Sequence, residues 1–549
     1  MRREDLRLGP SGHEDSFARD NLPPAELWPE FLLNRPEFAY PDYLNVGVEL
    51  SDRLVACGFG DRIALVGNGR RRSYRDLSAW TNQLARALVE DYGVRPGHRV
   101  LVRAPNSPAM VAVWLAATKA GAVVVNTMPL LRAGELTQII DKAEIGLALT
   151  DTRLAGELLK AAQTSRFLKR VVEFDGAVTQ EAELDRVALS KSTAFEAVQT
   201  GRDDVALLAF TSGTTGEPKA TMHFHRDILI MADGYASEVL RLGPEDVVLG
   251  SPPLAFTFGL GGLAVFPLRV GATAVLLEDP TPPRLMEYLE TYGATVVFTS
   301  PTAYRALLAM DNLRSRLASL RVAVSAGETL PASVFEEWLA KIGVPILDGI
   351  GSTEMIHIFI TNRFGDARAG ATGRPVAGYE ACIVDDAMQP VPAGTPGRLA
   401  VRGPTGCRYL ADARQTNYVR DGWNLTGDAF VCDSEGIFHF SARSDDMIIS
   451  AGYNISGPEI EGALLAHNAV AECAVIGVPN LERGEIVEAH VVLRGGFAAS
   501  EAMACELQDH VKATLAPYKY PRSVRFIEEL PKTATGKIQR FVLRQRAHQ

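Results

Sequence analysis

The stretch from Val205 to Lys219 restricts the fold of this chain more than any other part of the sequence. It begins with a short apolar run, Val205-Ala206-Leu207-Leu208-Ala209-Phe210, and continues as Thr211-Ser212-Gly213-Thr214-Thr215-Gly216-Glu217-Pro218-Lys219. The apolar run has the length and composition of a buried strand. Glycine lets amide N–H groups approach an anion closely, and the hydroxyl groups and the lysine add donors and a positive charge. We therefore predict a strand that runs into a phosphate-binding loop.

Two other interpretations apply to a loop of this composition. A Walker loop needs four residues between its glycines and a Lys-Ser or Lys-Thr pair that opens a helix. Here two residues separate Gly213 from Gly216, and Pro218 precedes the lysine, so this is not a Walker loop. A flexible surface loop stays open on this stretch alone, because Ser, Thr and Gly are common in such loops. The choice therefore depends on the rest of the chain.

Length, charge and cysteine content limit the class of protein. A chain of 549 residues exceeds the size at which a single core stops growing, so we expect at least two domains. A net charge of −10 argues against a general binder of nucleic acid or anionic membranes. Six scattered cysteines without a C-x-x-C pair argue against zinc and favour a reducing compartment. Because no apolar run has the length of a membrane span or a signal segment, we expect a cytoplasmic protein.

The order of apolar runs predicts an α/β fold. A strand near residues 99–102, a helix over about 107–120 and a strand at 122–125 form the βαβ pattern of a parallel sheet, and the pattern repeats along the chain. A helix is predicted from about Arg226, and the first 45 residues are predicted to pack as an arm on the outside. From about Glu380, short alternating strands predict a small β subdomain. We predict an N-terminal domain over 1–444 and an α+β C-terminal domain over 445–549.

Three further polar clusters contain residues that suit nucleotide chemistry. The carboxylate of Glu354, which follows a predicted strand, offers the oxygen ligands that Mg²⁺ prefers. A solvent-facing glutamate at the start of a helix is an equally good interpretation of this residue. Asp428, after a predicted turn, suits ribose hydroxyl groups, with an Asx turn as the alternative. Lys537 lies on a Gly/Thr loop and, taken alone, is an ordinary surface lysine.

Together these segments resemble the adenylate-forming superfamily of acyl-CoA synthetases, peptide-synthetase adenylation domains and luciferases. Five segments match in order, from about residue 50 onward: the loop at 211–219, Gly351-Ser352-Thr353-Glu354, Thr426-Gly427-Asp428, Arg443-Ser444-Asp445-Asp446 and Pro531-Lys532-Thr533-Ala534-Thr535-Gly536-Lys537. Within the superfamily, the sequences of residues 221–227 and 351–359 look closest to those of benzoate- and 2-aminobenzoate-CoA ligases. The resemblance implies ATP, Mg²⁺ and coenzyme A as cofactor and co-substrates, and a carboxylic acid as the partner substrate.

The resemblance also implies a role for each matching residue. Thr353 and Glu354 lie by the α-phosphate with Glu354 on Mg²⁺, Asp428 and Arg443 bind the ribose, and Asp445 is the hinge of a mobile C-terminal domain. Lys537 reaches the substrate carboxylate and the α-phosphate. The residues implied to hold the ATP phosphates are Thr211, Ser212, Gly213, Thr214, Thr215, Gly216 and Lys219.

This chemistry gives the residues a purpose. Attack of a carboxylate on the α-phosphorus forms an acyl-adenylate and releases pyrophosphate, and a thiol then displaces AMP. Two anions must approach each other in the first step, so cations and N–H donors around the developing charge matter most. The adenylate is sensitive to water, so a closing C-terminal domain is expected to exclude water.

Three positions depart from the family pattern. Ala220 and Ala442 stand where glycine is frequent in the family, and neither position is expected to take part in the reaction. Asn454 stands where many acetyl- and medium-chain acyl-CoA synthetases have arginine. The missing arginine weakens assignment to those groups and puts one CoA-phosphate contact in doubt.

The acid pocket is predicted from segments that follow strands. Phe256 offers an apolar wall that can stack on a ring, and the small Ala326-Gly327 pair leaves room for a flat group. His357 is a polar residue in an apolar run, and its generic interpretation is a satisfied core histidine. The resemblance instead favours a histidine at the edge of an aromatic acid. The predicted pocket comprises Phe256, Ala326, Gly327, Gly349, Ile350, Gly351 and His357.

Three functions stay open at this point. The first is an aryl acid–CoA ligase acting on an acid such as 2-aminobenzoate or benzoate, and a medium-chain acyl-CoA synthetase is its near alternative. The second is an enzyme that loads an aryl acid onto a carrier protein, and the third is a non-catalytic nucleotide binder. No nucleic-acid or membrane partner is expected, and a homodimer is allowed for.

Overall fold

The computed structural model describes residues 8–176, 182–211, 218–443, 448–450, 453–480, 484–515, 519–533 and 538–547. Within these ranges, the strands are β1 Ile63–Gly67, β2 Arg70–Ser73, β3 Arg99–Arg103, β4 Val123–Thr127, β5 Leu147–Asp151, β6 Arg170–Phe174, β7 Val205–Thr211, β8 Lys219–Phe224, β9 Val247–Gly250, β10 Thr273–Val275, β11 Val296–Thr299, β12 Val322–Ser325, β13 Ile346–Gly351, β14 Ile358–Thr361, β15 Arg374–Pro375, β16 Glu380–Val384, β17 Gly397–Arg402, β18 Val419–Arg420, β19 Trp423–Cys432, β20 Phe438–Arg443, β21 Ile448–Ser450, β22 Tyr453–Ile455, β23 Val470–Asn480, β24 Gly484–Leu493 and β25 Ser523–Phe526. The helices of seven or more residues are Tyr74–Glu90, Pro108–Lys119, Ala133–Lys142, Ala155–Thr164, Glu183–Leu189, His225–Met231 with its continuation Ala232–Val239, Pro282–Thr291, Pro301–Leu308, Ala332–Ile342, Gly457–Leu465, Glu501–Thr514 and Arg540–Ala547.

The strands between residues 99 and 224 form a six-stranded sheet in the order β6-β5-β3-β4-β7-β8. Its strands are parallel except β8, which runs antiparallel to β7. The predicted βαβ repeat is therefore confirmed. The helix Pro108–Lys119 is buried along its whole length, as expected for a helix covered on all sides.

The sequence prediction missed β8, which precedes the helix predicted from about Arg226. The helix begins at His225, and residues 219–224 form a strand that pairs Lys219 with Thr211. The signal was present, because polar Lys219, Thr221 and His223 alternate with apolar residues at the period of a strand. The described residues on either side of the predicted phosphate loop therefore form an antiparallel strand pair.

A nine-stranded sheet in the order β15-β14-β13-β12-β11-β9-β10-β1-β2 forms the second layer. The hairpin β1–β2 turns at Asn68 and Gly69, and both turn residues have positive φ. One face of this sheet shares a hydrophobic core with one face of the six-stranded sheet, and members of this core include Val102, Leu149 and Val324. The carboxyl ends of the parallel strands, where α/β sheets bind ligands, carry the predicted pocket segments.

The predicted β subdomain is confirmed as a five-stranded sheet, β16-β17-β19-β18 with β20 paired to β19. The turn predicted before Asp428 is present at Asp421 and Gly422, which join β18 to β19 and both have positive φ. Asp428 lies inside the long strand β19, next to Gly427, whose φ of 79° accompanies a break in the pairing register with β17. The Thr426-Gly427 pair directly before Asp428 is thus part of a bulge inside a strand.

The first residues of the described chain contribute to the core, so the prediction of an arm on the outside is wrong in part. Trp28 is 3 % exposed and Phe31 is fully buried, and both belong to the core beneath the six-stranded sheet. The guanidinium of Arg408 lies 5.0 Å from the ring centre of Phe31 and 5.7 Å from that of Trp28. This segment therefore supports the strand-like stretch around residue 408.

The C-terminal part has a sheet in the order β22-β21-β24-β23, with β25 parallel to β24. Its central hydrophobic cluster draws all of its members from residues 448–526. Arg305 of the larger part donates a hydrogen bond from Nη1 to the carbonyl oxygen of Ala471, at 3.0 Å. The hinge predicted at Asp445 and the boundary predicted after residue 444 lie outside the described residues and stay predictions. None of the described helices combines the length and the apolar character that crossing a membrane requires.

Candidate functional site

The hairpin of β7 and β8 brings the two ends of the predicted phosphate loop together. Thr211 and Lys219 are directly paired across it. The hydroxyl oxygen of Thr211 is buried without a hydrogen-bond partner among the described residues, and the ammonium of Lys219 donates to the hydroxyl oxygen of Tyr409 at 3.2 Å. The predicted loop residues Ser212, Gly213, Thr214, Thr215 and Gly216 lie outside the described residues.

The turn after β13 carries the predicted α-phosphate and Mg²⁺ residues. The carbonyl oxygen of Thr353 accepts hydrogen bonds from Nε2 of His223 at 2.8 Å and from the backbone N–H of Ile356 at 3.1 Å. Glu354 is 7 % exposed, and its Oε1 accepts a hydrogen bond from the hydroxyl of Tyr409 at 2.5 Å. Ile356 has a φ of 68°, which is rare for a β-branched residue and marks a tight, strained turn.

Tyr409, which sequence reasoning did not single out, connects these two segments. It lies in a stretch that pairs with β8, since Arg408 accepts from the N–H of Met222 and Leu410 donates to Ala220. Thr221 and Tyr409 form an antiparallel bridge between the two stretches. The site is therefore assembled from the β7–β8 hairpin, the turn after β13 and a segment of the β subdomain.

A buried ion pair involves Arg408, the residue directly before Tyr409. Arg408 and Asp227 are both fully buried and form an ion pair, and the guanidinium of Arg408 lies 4.0 Å from the ring centre of Phe224. Burial, together with the nearby Arg408, lowers the pKa of His223 to about 3. His223 is therefore neutral near pH 7, and its Nε2–H donates to Thr353.

The backbones of the two predicted ribose residues lie opposite each other on neighbouring strands. Asp428 on β19 is paired with Arg443 on β20, and Asp428 is 5 % exposed. Burial raises the pKa of Tyr418, with smaller contributions from Glu354, Cys407 and Asp428, and its hydroxyl lies 3.2 Å from the Oγ of Ser352. The predicted Asp428 position thus lies near the turn that carries Glu354. Lys537 and Asp445 lie outside the described residues.

The β13–β14 hairpin brings together four of the predicted pocket residues. Its register pairs Gly349 with Thr361, Ile350 with Ile360 and Gly351 with Ile358, so His357 lies directly before the start of β14. The predicted Ala326 is buried and follows β12, Gly327 is exposed, and Phe256 is half-buried before a short helix. These last three residues follow β9 and β12, the two strands on either side of β11 in the same sheet.

His357 lies in an aromatic cluster. Its ring centre is 4.6 Å from that of Phe266, 5.5 Å from that of Tyr235 and 5.6 Å from that of Phe258. Burial lowers the pKa of His357 to about 3, with a small opposing effect from the backbone of Phe258. Neither ring nitrogen makes a hydrogen bond of good geometry with any described residue. The generic interpretation of a satisfied core histidine is therefore not met by the described residues.

Gly261 provides the space beside this ring. A Cβ atom at residue 261 would lie 2.5 Å from Cδ2 and 2.8 Å from Nε2 of His357. Any side chain at residue 261 would therefore force the imidazole to move.

The loop that carries Phe256 is held by an asparagine from the other sheet. Asn106 follows β3, and its Nδ2 donates to the carbonyl oxygen of Pro252 at 2.9 Å. Its Oδ1 accepts from the N–H of Leu254 at 2.8 Å, and Asn126 adds a weaker bond of 3.4 Å to the carbonyl oxygen of Leu254. Since Asn106 is 146 residues away from Pro252 in sequence, no local pattern could have predicted this clamp.

The side chains at the site fit the groups that the sequence predicted. A single buried carboxylate, an ammonium and an unpartnered buried hydroxyl are suited to Mg²⁺ with a phosphate chain, because Mg²⁺ usually takes one or two protein carboxylates and completes its shell with phosphate oxygens and water. The described residues contain no group of three or more His, Cys, Asp or Glu side chains that would hold a metal alone. The donor set therefore favours a metal that arrives with the nucleotide.

Comparisons with known proteins agree with the geometry. The model of the family AMP-binding enzyme matches residues 54–409, and the model of the AMP-binding enzyme C-terminal domain matches residues 459–537. The benzoate–CoA ligase of Thauera aromatica is 37 % identical over 514 residues, which cover 93 % of this chain and 97 % of that protein. The chain is also similar to the solved structure of the anthranilate CoA ligase AuaEII in complex with anthranoyl-AMP, with 34 % identity, a TM-score of 0.88 and coverage of 93 % and 99 %. A benzoate CoA ligase from Burkholderia xenovorans LB400 has 34 % identity, a TM-score of 0.83 and coverage of 91 % and 99 %.

Proposed function

Since the chain belongs to the AMP-binding enzyme family, we propose that it is an AMP-forming ligase that joins an aromatic carboxylic acid to coenzyme A. The relatives that support this reaction are CoA ligases of benzoate and anthranilate, which is 2-aminobenzoate. The reaction has two steps: the acid and ATP form an acyl-adenylate and pyrophosphate, and the thiol of CoA then displaces AMP.

One observation carries the proposal. The turn after β13 has Glu354 at its start, in contact with the hydroxyl of Tyr409, and His357 at its end, inside the aromatic cluster. Only two residues, Met355 and Ile356, thus separate a buried carboxylate suited to the metal–phosphate side from an imidazole suited to a ring. An acid carboxylate and an α-phosphate must meet within a few ångströms, and this turn provides such a meeting point.

The chain's own residues have these proposed tasks in the first step. Mg²⁺, when bound, neutralises phosphate charge, and Glu354 is proposed to hold it. Lys219, Thr211 and the loop residues 212–216 bind the phosphates, and Thr353 lies by the α-phosphate. Asp428 and Arg443 bind the ribose, because a carboxylate accepts hydrogen bonds from vicinal hydroxyl groups. Lys537 stabilises the charge that develops between the acid and the α-phosphate.

The second step is proposed to need a movement of the C-terminal domain about Asp445. The acyl-adenylate is a reactive mixed anhydride, so the first step benefits from a closed site, whereas the thiol needs a path to the carbonyl carbon. A rotation that withdraws Lys537 would open that path.

For the acid, we propose a benzoate-type ring that packs between Phe256 and the wall formed by Ala326, Gly349 and Gly351, with His357 at its edge. A neutral imidazole without a hydrogen-bond partner among the described residues offers one donor and one acceptor to a ring substituent. A site that hydrogen-bonds the 2-amino group discriminates against benzoate by about 10⁴-fold or more, and an apolar pocket by about 10²-fold. We therefore propose 2-aminobenzoate and benzoate as the first acids to compare.

The test is ATP–pyrophosphate exchange with a panel of acids: benzoate, 2-aminobenzoate, hydroxybenzoates, phenylacetate, butyrate and hexanoate. Exchange that peaks on benzoate or 2-aminobenzoate is the expected result. A peak on hexanoate would keep the reaction and reject the flat pocket, in favour of a medium-chain acyl-CoA synthetase. Absence of exchange with every acid would reject adenylation.

A second experiment tests the two-step assignment. Lys537→Ala should slow exchange by about 10²–10³-fold, in line with the loss of one transition-state charge partner. It should leave thioester formation from a supplied acyl-adenylate close to that of the unmodified enzyme. An equal loss in both steps would contradict the proposed withdrawal of Lys537.

The acceptor and the setting are proposed on chemical grounds. Free CoA is the proposed acceptor, and a phosphopantetheinylated carrier protein, offered in its place, tests the alternative. A reducing compartment such as the cytoplasm suits six cysteines that are all free thiols. A homodimer stays a prediction that sedimentation can test.

A further inference from the structure

Tyr409 contacts two of the proposed ATP-site residues from a third part of the chain. Its hydroxyl donates to Oε1 of Glu354 at 2.5 Å and accepts from Nζ of Lys219 at 3.2 Å. We propose that Tyr409 is a positioning residue that fixes the carboxylate of Glu354 for Mg²⁺ and keeps the ammonium of Lys219 beside it for the ATP phosphates. This proposal rests on the assignment of Glu354 as the Mg²⁺ ligand.

The phenol is itself held firmly. The backbone N–H of Tyr409 donates to Oε1 of Gln415 at 2.9 Å, and its backbone is bridged to Thr221 of β8. Its ring packs edge-on against Tyr418 at 5.9 Å, and Tyr409 is 1 % exposed. A donor fixed from both backbone and ring can set the orientation of the carboxylate that it contacts.

The hydrogen bond leaves the right atoms for the metal. Tyr409 uses Oε1 of Glu354, so the carboxylate keeps its remaining acceptor capacity for Mg²⁺, which demands near-octahedral geometry. A tyrosine hydroxyl ordinarily titrates at about pH 10, so the phenol is a donor near neutral pH. Partners of this second layer typically contribute 10–100-fold to metal affinity.

The phenol also separates two opposite charges. Lys219 and Glu354 each bond to the hydroxyl group of Tyr409, and the described structure contains no ion pair between their side chains within 4.0 Å. A direct pair would compete with the phosphates for Lys219 and with Mg²⁺ for Glu354. The phenol keeps both charges close without joining them.

The experiment measures how much Mg²⁺ strengthens nucleotide binding in the full-length protein. The affinity for α,β-methylene-ATP is determined by calorimetry with Mg²⁺ and with EDTA, and the ratio is the Mg²⁺-dependent gain. Tyr409→Phe should lower this gain by about 10–100-fold. Tyr418→Phe, which removes a buried hydroxyl that contacts Ser352 instead, should change it by less than threefold.

Glu354→Gln separates the two ways in which the proposal can fail. If Glu354→Gln loses the gain and Tyr409→Phe keeps it, Tyr409 is not a positioning residue. If Glu354→Gln itself keeps the gain, the metal assignment of the proposed function is wrong. If both lose it, the double variant should lose no more than Glu354→Gln alone, because Tyr409 acts through Glu354. An additive loss would overturn the inference.

Unfolding is monitored so that it cannot imitate the effect. If Tyr409→Phe melted well below Tyr418→Phe, Tyr409→His would provide the second test, because imidazole retains a ring donor. Recovery of part of the gain in a folded Tyr409→His protein would support the inference, and a gain as low as that of Tyr409→Leu would contradict it.

Discussion

Replacement of Asn106 by alanine should weaken the binding of the acid without weakening the binding of ATP. The variant leaves two buried backbone groups without partners, the carbonyl oxygen of Pro252 and the N–H of Leu254, which now bond at 2.9 and 2.8 Å. A buried group that loses its partner costs about 1–3 kcal/mol, so two such groups in a rigid loop would cost about 2–6 kcal/mol. The loop can escape this cost only by moving toward water, which displaces Phe256.

Displacement of the loop that carries Phe256 should raise the KM for the acid. Displacement of the loop at a cost of about 2 kcal/mol corresponds to about a 30-fold higher KM for the acid. Pyrophosphate exchange with benzoate or 2-aminobenzoate as the varied substrate measures it, and the KM for ATP should stay within twofold. Asn126→Ala, which removes a bond of 3.4 Å to the same loop, is the matched control and should have a much smaller effect.

Asn106→Asp adds a signature that general damage would not produce. The aspartate keeps the acceptor for Leu254 and faces the carbonyl oxygen of Pro252, so its pKa should be raised by burial and by this lone pair. Its protonated form can donate to Pro252, so the KM for the acid should recover as the pH falls below that pKa. An acid KM for Asn106→Ala within twofold of the unmodified enzyme, with unchanged stability, would refute the clamp.

Three other predictions follow from the packing and the charges. Gly261→Ala should raise the KM for aromatic acids by about 10-fold or more, because a Cβ atom 2.5 Å from His357 costs about 1–3 kcal/mol. Gly234→Ala, with its nearest contact at 3.6 Å, is the control and should have no such effect. Equal KM values for the two variants in exchange assays would contradict this prediction. Trp28→Ala should destabilise the protein by about 3–5 kcal/mol in urea unfolding, since Trp28 is 3 % exposed, and half-buried Trp80→Ala should lose clearly less. Because burial lowers the pKa of His223 and His357 from 6.5 to about 3, the unfolded chain binds more protons between those values, so stability should fall as the pH falls from about 6.5 toward 3. Each histidine should account for about 2 kcal/mol of that loss by pH 5, and His357→Phe should unfold with a correspondingly smaller difference between pH 7 and pH 5; an unchanged difference would rule out His357 as a contributor.

Much of the fold could be predicted from local pattern. The hairpin at Asn68-Gly69 and the capping box of Ser73 and Asp76 need only neighbouring residues, and both are present. The parallel sheets follow from alternating apolar runs, because each run has one stable place in a βαβ unit. Asp428 shows the limit of this approach, since a Thr-Gly-Asp pattern fits a turn and a bulge equally well, and only the pairing with β17 and β20 decides between them.

The site residues that could be predicted from the sequence are those whose role depends on a single segment of the chain. The described ends of the phosphate loop, Thr211 and Lys219, do meet, and Glu354 lies close by through Tyr409. Tyr409, His223 and Asn106 were missed because each acts on a residue that is more than 50 positions away in sequence. Such contacts depend on how sheets and subdomains pack, which periodicity and motif spacing do not encode.

The strained turn between Glu354 and His357 has a consequence for how this enzyme can diversify. Its geometry depends on the positive φ of Ile356 and on the carbonyl oxygen of Thr353, so a substitution that reshapes the acid side of the turn also shifts the nucleotide side. Wall residues of the pocket that follow other strands, such as Phe256 and Ala326, lie outside this turn, so their substitution does not shift the nucleotide side. New acids should therefore be gained most readily through those walls, and laboratory selection for altered acids should collect its substitutions there while the turn stays constant.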